Sequence, residues 1–205
     1  MDLGALLKSF IYIISSSLLY PVLFLLVVLT CWILIYSGSF FAEWLERIRL
    51  KKYPPERLPQ IIRQGDNPGV FPQRINTYIK ELRLLLNNKD RSTEADIENF
   101  LQEKTLNLWK SLDRSRMVIR IGPSLGLLGT LIPMGTGLAA LGQGDMTRLS
   151  SDLVIAFTTT VVGLAIGTVA YFFYTIKRRW VEEDIKNIEL ATEILAGKIL
   201  EEKER

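Results

Sequence analysis

GPSLGLLGTLIPMG, Gly122 to Gly135, decides the fold: it is apolar enough for a bilayer, yet holds four glycines and two prolines. It lies inside Ile121–Gly144, a window without one charged residue, and two more such windows run Ser9–Ala42 and Leu153–Ile176. Each reaches the roughly 20 residues a helix needs to cross a hydrocarbon core of about 30 Å. The chain of 205 residues is therefore read as an all-α integral membrane protein with three transmembrane helices extended into the cytoplasm. Its glycines and prolines then need a reason, because they weaken helices in water and are tolerated in membranes where other groups repair the backbone.

Working outward, the predicted divisions are an interfacial segment 1–17, a first span 18–40 and a cytoplasmic helical region 41–118. A second span 119–142, a short outer connection 143–151, a third span 152–176 and a cytoplasmic C-terminal helix 177–205 complete them. The first apolar run is longer than the core of a signal peptide and has no small-x-small cleavage site, so it reads as a retained span.

Basic residues set the expected orientation. Of 25 Lys and Arg, 16 lie in 41–120 and seven from Lys177 onward, while the 145–152 connection holds only Arg148 and the N-terminus only Lys8. The clusters Arg47/Arg49/Lys51/Lys52 and Lys177/Arg178/Arg179 abut the spans, where the positive-inside bias acts. This places the N-terminus outside and the C-terminus in the cytoplasm, in a multi-pass inner-membrane topology. The net charge of +3 belongs to membrane flanks and gives no ground for nucleic-acid binding.

Composition narrows the chemistry. With no histidine and one cysteine, Cys31, there is no disulfide framework and no His-based catalytic or metal arrangement. No metal or other cofactor is expected, and an enzymatic role has no residues to carry it.

Between the spans, Pro54, Pro55 and Pro59 are expected to end the helix continuing from Glu43, and Gln64–Pro72 reads as a loop. Ile75, Tyr78, Ile79, Leu82, Leu85 and Leu86 recur at helical spacing, and Ser92 or Thr93 is suited to cap the next helix. Nothing breaks that next helix before Ile121. In the tail, Val181, Ile185, Ile188, Thr192, Leu195 and Ile199 form a heptad-like seam. It can pack on its own protomer or between subunits.

Helices in lipid associate by close packing at small residues. Gly122, Gly126, Thr130, Pro133 and Gly137 share one face of the second span, with Gly129 beside them; the third span answers with Gly163 and Gly167. Thr158, Thr159 and Thr160 spread three hydroxyls over about 200° of that helix, so some must face protein or water. Pro133 leaves the carbonyl of Gly129, beside Thr130, without its usual donor. No acid or base lies inside the three windows, so a proton path would need a titrating group from another chain.

Gly-Pro-Ser-Leu-Gly-Leu-Leu-Gly-Thr (122–130) resembles the Ala-Pro-x-Leu-Gly-Leu-x-Gly-Thr signature of the MotA/TolQ/ExbB proton-channel family, and Thr-Val-Val-Gly-Leu-Ala-Ile-Gly (160–167) its next-span motif. Three spans favour the TolQ/ExbB-like branch. The resemblance implies a homo-oligomeric, pentameric ring around a dimer of a single-span ExbD/TolR-like partner that supplies a membrane aspartate. It implies that Thr130 and Thr160, with Thr159 next to them, line the proton pathway, and that protons moving through the bilayer drive mechanical work in the envelope. Two positions depart from the pattern: Pro133 stands where relatives often have glycine, and Ile155 where they often carry a glutamate. Asp152 is the nearest acid, a candidate for proton intake or, together with Ser150 and Ser151, for starting the third span. A non-conducting scaffold assembled through the glycine faces is the alternative reading.

Overall fold

The computed structural model describes residues 3–50, 57–64, 69–87 and 94–203. They form α1 (Leu3–Ser17), α2 (Leu19–Arg49), α3 (Leu58–Gln64), α4 (Gln73–Asn87), α5 (Glu94–Gly142) and α6 (Met146–Lys203). Three stretches, Ser9–Arg49, Ala95–Gly142 and Met146–Gly197, are long and apolar enough to cross a membrane. The protein is an all-α, multi-pass membrane protein. As expected from the lack of breakers, α2 runs on to Arg49 and α5 runs without interruption through residues 94–142. Pro21 falls in the first turn of α2, where a missing backbone donor costs least.

Pro59 differs from expectation. It does not break a helix but sits in the first turn of α3, where its fixed φ suits a helix start. Gln64 ends that helix instead of opening a loop. The expected breaks at Pro54 and Pro55 and the caps at Ser92 and Thr93 lie outside the described residues.

The chain divides into two compact units, Met1–Gly38 with Arg114–Tyr174 and Ser39–Asp113 with Thr175–Arg205. In the second unit the α4 face closes on α6. Ile62, Phe71, Ile75, Tyr78, Ile79, Leu82 and Leu86 bury against Ile188, Ala191 and Leu195. Buried Tyr78 and Thr192 share a hydroxyl–hydroxyl bond of 2.6 Å. Ile188, Thr192 and Leu195 of the heptad-like seam therefore pack on their own chain, and Val181 and Ile185 are buried as well; the Ile199 side chain lies outside the described residues.

The same unit joins α2 to α6 through charge. Arg47 Nη2 lies 2.5 Å from Asp184 Oδ2, with Asp184 only 1% exposed, and Arg47 also stacks over Trp180. Glu43 bridges Arg74 and Lys177, each at 3.5 Å. Burial pushes the Asp184 carboxyl above its ordinary range, outweighing the opposing hydrogen bond from Arg47. An acid raised this way holds its proton more tightly when folded, so stability falls as pH rises through the folded value. Asp184→Asn should flatten that slope. Arg47→Leu strands the buried carboxyl and should cost about 3–5 kcal/mol, whereas replacing both partners by leucine should recover most of it. Hydrogen exchange along α6 reads both; equal loss in the single and double variants would count against the pair.

Candidate functional site

In the first unit α5 and α6 form a tight antiparallel hairpin, and the turn sets its register. Gly144, with φ of 79°, ends α5; its N–H donates to the Leu141 carbonyl and that of Asp145 to Ala140, each at 3.0 Å. This double bond with a left-handed glycine is a Schellman closure. Asp145 then caps α6, its carboxylate accepting from the Arg148 N–H at 3.0 Å. The third span's helix thus starts at Met146, not at the Ser150–Asp152 start expected from sequence. Asp152 sits in the second turn, past the point where a side chain can cap.

Glycines face each other down the seam. A Cβ on Gly163 would lie 2.6 Å from Gly126 Cα and 2.7 Å from the Gly122 carbonyl. One on Gly167 would meet Pro123 Cγ at 2.6 Å, and one on Gly129 the Thr159 Cβ at 2.7 Å. Gly122 approaches Ile166, and Gly137 approaches Leu149 and Asp152, somewhat less closely. Pro133 is fully buried. Gly135, on the other side of α5, meets nothing within 4 Å. Backbones this close trade side-chain volume for contact, the device that holds helices together where water offers no drive.

Hydroxyls gather at the middle of this seam. Thr130 Oγ1 and Thr160 Oγ1 are in direct contact across it. Thr130 also reaches the Gly126 carbonyl at 2.9 Å and the Ala156 carbonyl at 3.3 Å, and Thr160 reaches Ala156 at 3.1 Å. Thr159 adds a third hydroxyl 2.9 Å from the same carbonyl. Three hydroxyl protons thus share few acceptors, and each has more than one place to go. Thr130 and Thr160 are half-buried. Thr159 is 5% exposed and closed over by Gly129, so in this chain it packs between the helices instead of facing open space. Thr158 is exposed and bonds back to Val154.

Asp152 lies on the same face of α6 as Ala156 and Thr160, about 12 Å along the axis from Thr160. Its Oδ2 accepts from Thr136 Oγ1 at 2.7 Å. Sequence reading missed Thr136, although a signal exists. Thr136 and Asp152 stand eight residues on either side of Gly144, so a tight turn there brings them opposite. Among the described residues no group of three or more His, Cys, Asp or Glu is placed to hold a metal ion.

A multi-pass helical protein with a glycine-packed hairpin and paired membrane hydroxyls is the class this geometry defines. The chain belongs to the MotA/TolQ/ExbB proton channel family, which it matches over residues 72–190, more than half of its length. It is 27% identical over 124 residues to a Methanothermobacter thermautotrophicus protein described as a biopolymer transport protein ExbB homolog. That match takes in 60% of this chain and 44% of the relative, so the chain spans less than half of the relative's length. No solved structure matches the chain.

Proposed function

We propose that this chain is the channel subunit of a two-component, proton-driven motor in the inner membrane. Copies assemble as a pentameric ring around a dimer of an ExbD/TolR-like protein, whose single span brings the membrane aspartate. The N-terminus lies outside, and 41–118 and the C-terminus lie in the cytoplasm, the orientation that the Lys and Arg distribution favours. The observation that carries the reading is the contact of Thr130 with Thr160 across the hairpin, halfway along a seam that has hydroxyls but no acid at that depth. Such a pair lines the route for a proton that the partner's aspartate accepts and releases. Thr159 backs the pair, Asp152 takes protons in from the outer side, and the glycines with Pro133 hold the two helices in register. Each proton crossing releases about 2.3 kcal/mol per 100 mV of membrane potential, the work available to move the partner against the ring.

A pH-sensitive dye trapped in vesicles tests this. With a potential imposed, vesicles carrying the chain and a coexpressed single-span, aspartate-bearing partner should acidify, and those carrying the chain alone should not. The glycine seam equally suits a non-conducting scaffold, and no partner-dependent flux with a correctly assembled complex would favour that reading.

A further inference from the structure

Thr136 has one hydroxyl proton and two acceptors within reach. Its Oγ1 lies 3.0 Å from the Pro133 carbonyl on its own helix and 2.7 Å from Asp152 Oδ2 on the facing one. A threonine bonding back along its own helix needs no special role. A threonine placed equally for a carboxyl across a helix seam does, because the two acceptors correspond to two protonation states. When Asp152 is ionised, the Thr136 hydroxyl donates to the carboxylate. When Asp152 is protonated, the carboxyl O–H donates to Thr136 Oγ1, and the Thr136 proton turns to the Pro133 carbonyl. Every proton keeps an acceptor in both states, and no heavy atom has to move.

We infer that Thr136 is the positioning residue for Asp152, built to hold its carboxyl in one place while a proton comes and goes. The inference rests on the proposed conduction and adds a residue to it. The surroundings agree. Asp152 is half-buried, its Cβ faces the close approach at Gly137, and among the described residues it makes no ion pair. The charged groups nearest along the chain, Asp145 and Arg148, are exposed, and Asp145 is engaged as the helix cap. A carboxylate kept for a salt bridge would have a cation; this one has a neutral hydroxyl that works in both directions. The second acceptor is a backbone carbonyl, that of the fully buried Pro133, and it stays in place whichever way the Thr136 proton turns.

The test uses vesicles carrying the full chain with its single-span partner. Thr136→Val should reduce proton flux about tenfold, the scale of one lost hydrogen bond to a charged group, and Thr136→Ser should restore it to within about twofold. Asp152→Asn should lose more, and Asp152→Asn combined with Thr136→Val should be no worse than Asp152→Asn alone. Wild-type flux in Thr136→Val, or losses that multiply in the double variant, overturns the inference. Infrared spectroscopy supplies a reading that needs no conduction. The protonated Asp152 C=O band, assigned by its loss in Asp152→Asn, should move to higher frequency in Thr136→Val and stay put in Thr136→Ser. A band that does not respond sinks the positioning role. A responsive band in a protein without flux keeps the role and removes only the channel reading.

Discussion

Thr160→Val should lower partner-dependent proton flux by at least about a hundredfold while leaving membrane level and assembly unchanged. Valine keeps the shape of threonine, so packing beside Ala156 and Gly163 survives. What disappears is one of two hydroxyls in contact at mid-seam, with its bond to the Ala156 carbonyl. Thr130 then loses its cross-helix hydroxyl and keeps only the Gly126 and Ala156 carbonyls, which accept a hydrogen bond but have no proton to pass on. A positioned proton-transfer group contributes about 10²–10⁴-fold, which sets the size of the loss. Thr160→Ser restores a hydroxyl and should restore flux. Normal flux in Thr160→Val, at normal membrane level, would remove Thr160 from the pathway.

The second large effect is on stability. Gly163→Ala places a methyl 2.6 Å from Gly126 Cα and 2.7 Å from the Gly122 carbonyl, both backbone atoms that have nowhere to turn. The helices must separate, and Gly167 against Pro123 and Gly129 against Thr159 open with them. Overpacking of this kind costs about 1–3 kcal/mol for one methyl, and Gly163→Leu should prevent the hairpin from forming. Gly135→Leu is the control: Gly135 is exposed and meets nothing within 4 Å. Thermal unfolding in detergent should separate the two positions sharply. Both substitutions raise helix propensity, so similar losses at Gly163 and Gly135 would mean that the close approach at the seam does not set the effect.

Much of this architecture is legible in the sequence because lipid is a simple solvent. Three charge-free windows announce three apolar helices, and the Gly122/Gly126 and Gly163/Gly167 spacings mark the faces that meet. The register was also open to reading. With a turn at Gly144, residues whose numbers add to about 289 must face each other, which pairs Gly126 with Gly163 and Thr130 with Thr160. The misreadings came from signals that compete on equal terms. Ser150, Ser151 and Asp152 are as good a helix start as Asp145, and only the Schellman closure at Gly144 decides between them. Pro59 looks like a breaker beside Pro54 and Pro55, yet a proline in a first turn is a helix starter. Thr136 carries no local mark at all. A lone membrane threonine bonds back to its own helix as a matter of course, and its meaning comes entirely from what stands opposite.

The three-residue connection Gln143–Asp145 also bears on how the protein is made. So short a link is expected to bring α5 and α6 into the bilayer as a paired unit. In the proposed orientation the tip leads, drawing Asp145, Arg148 and Asp152 through the hydrocarbon on the way. The tip carries a net charge of one negative unit, and each buried charge resists insertion by about 2.5–3.5 kcal/mol at the helix centre. Extra charges at this corner would therefore act during synthesis, on the share of chains that ever reach the membrane.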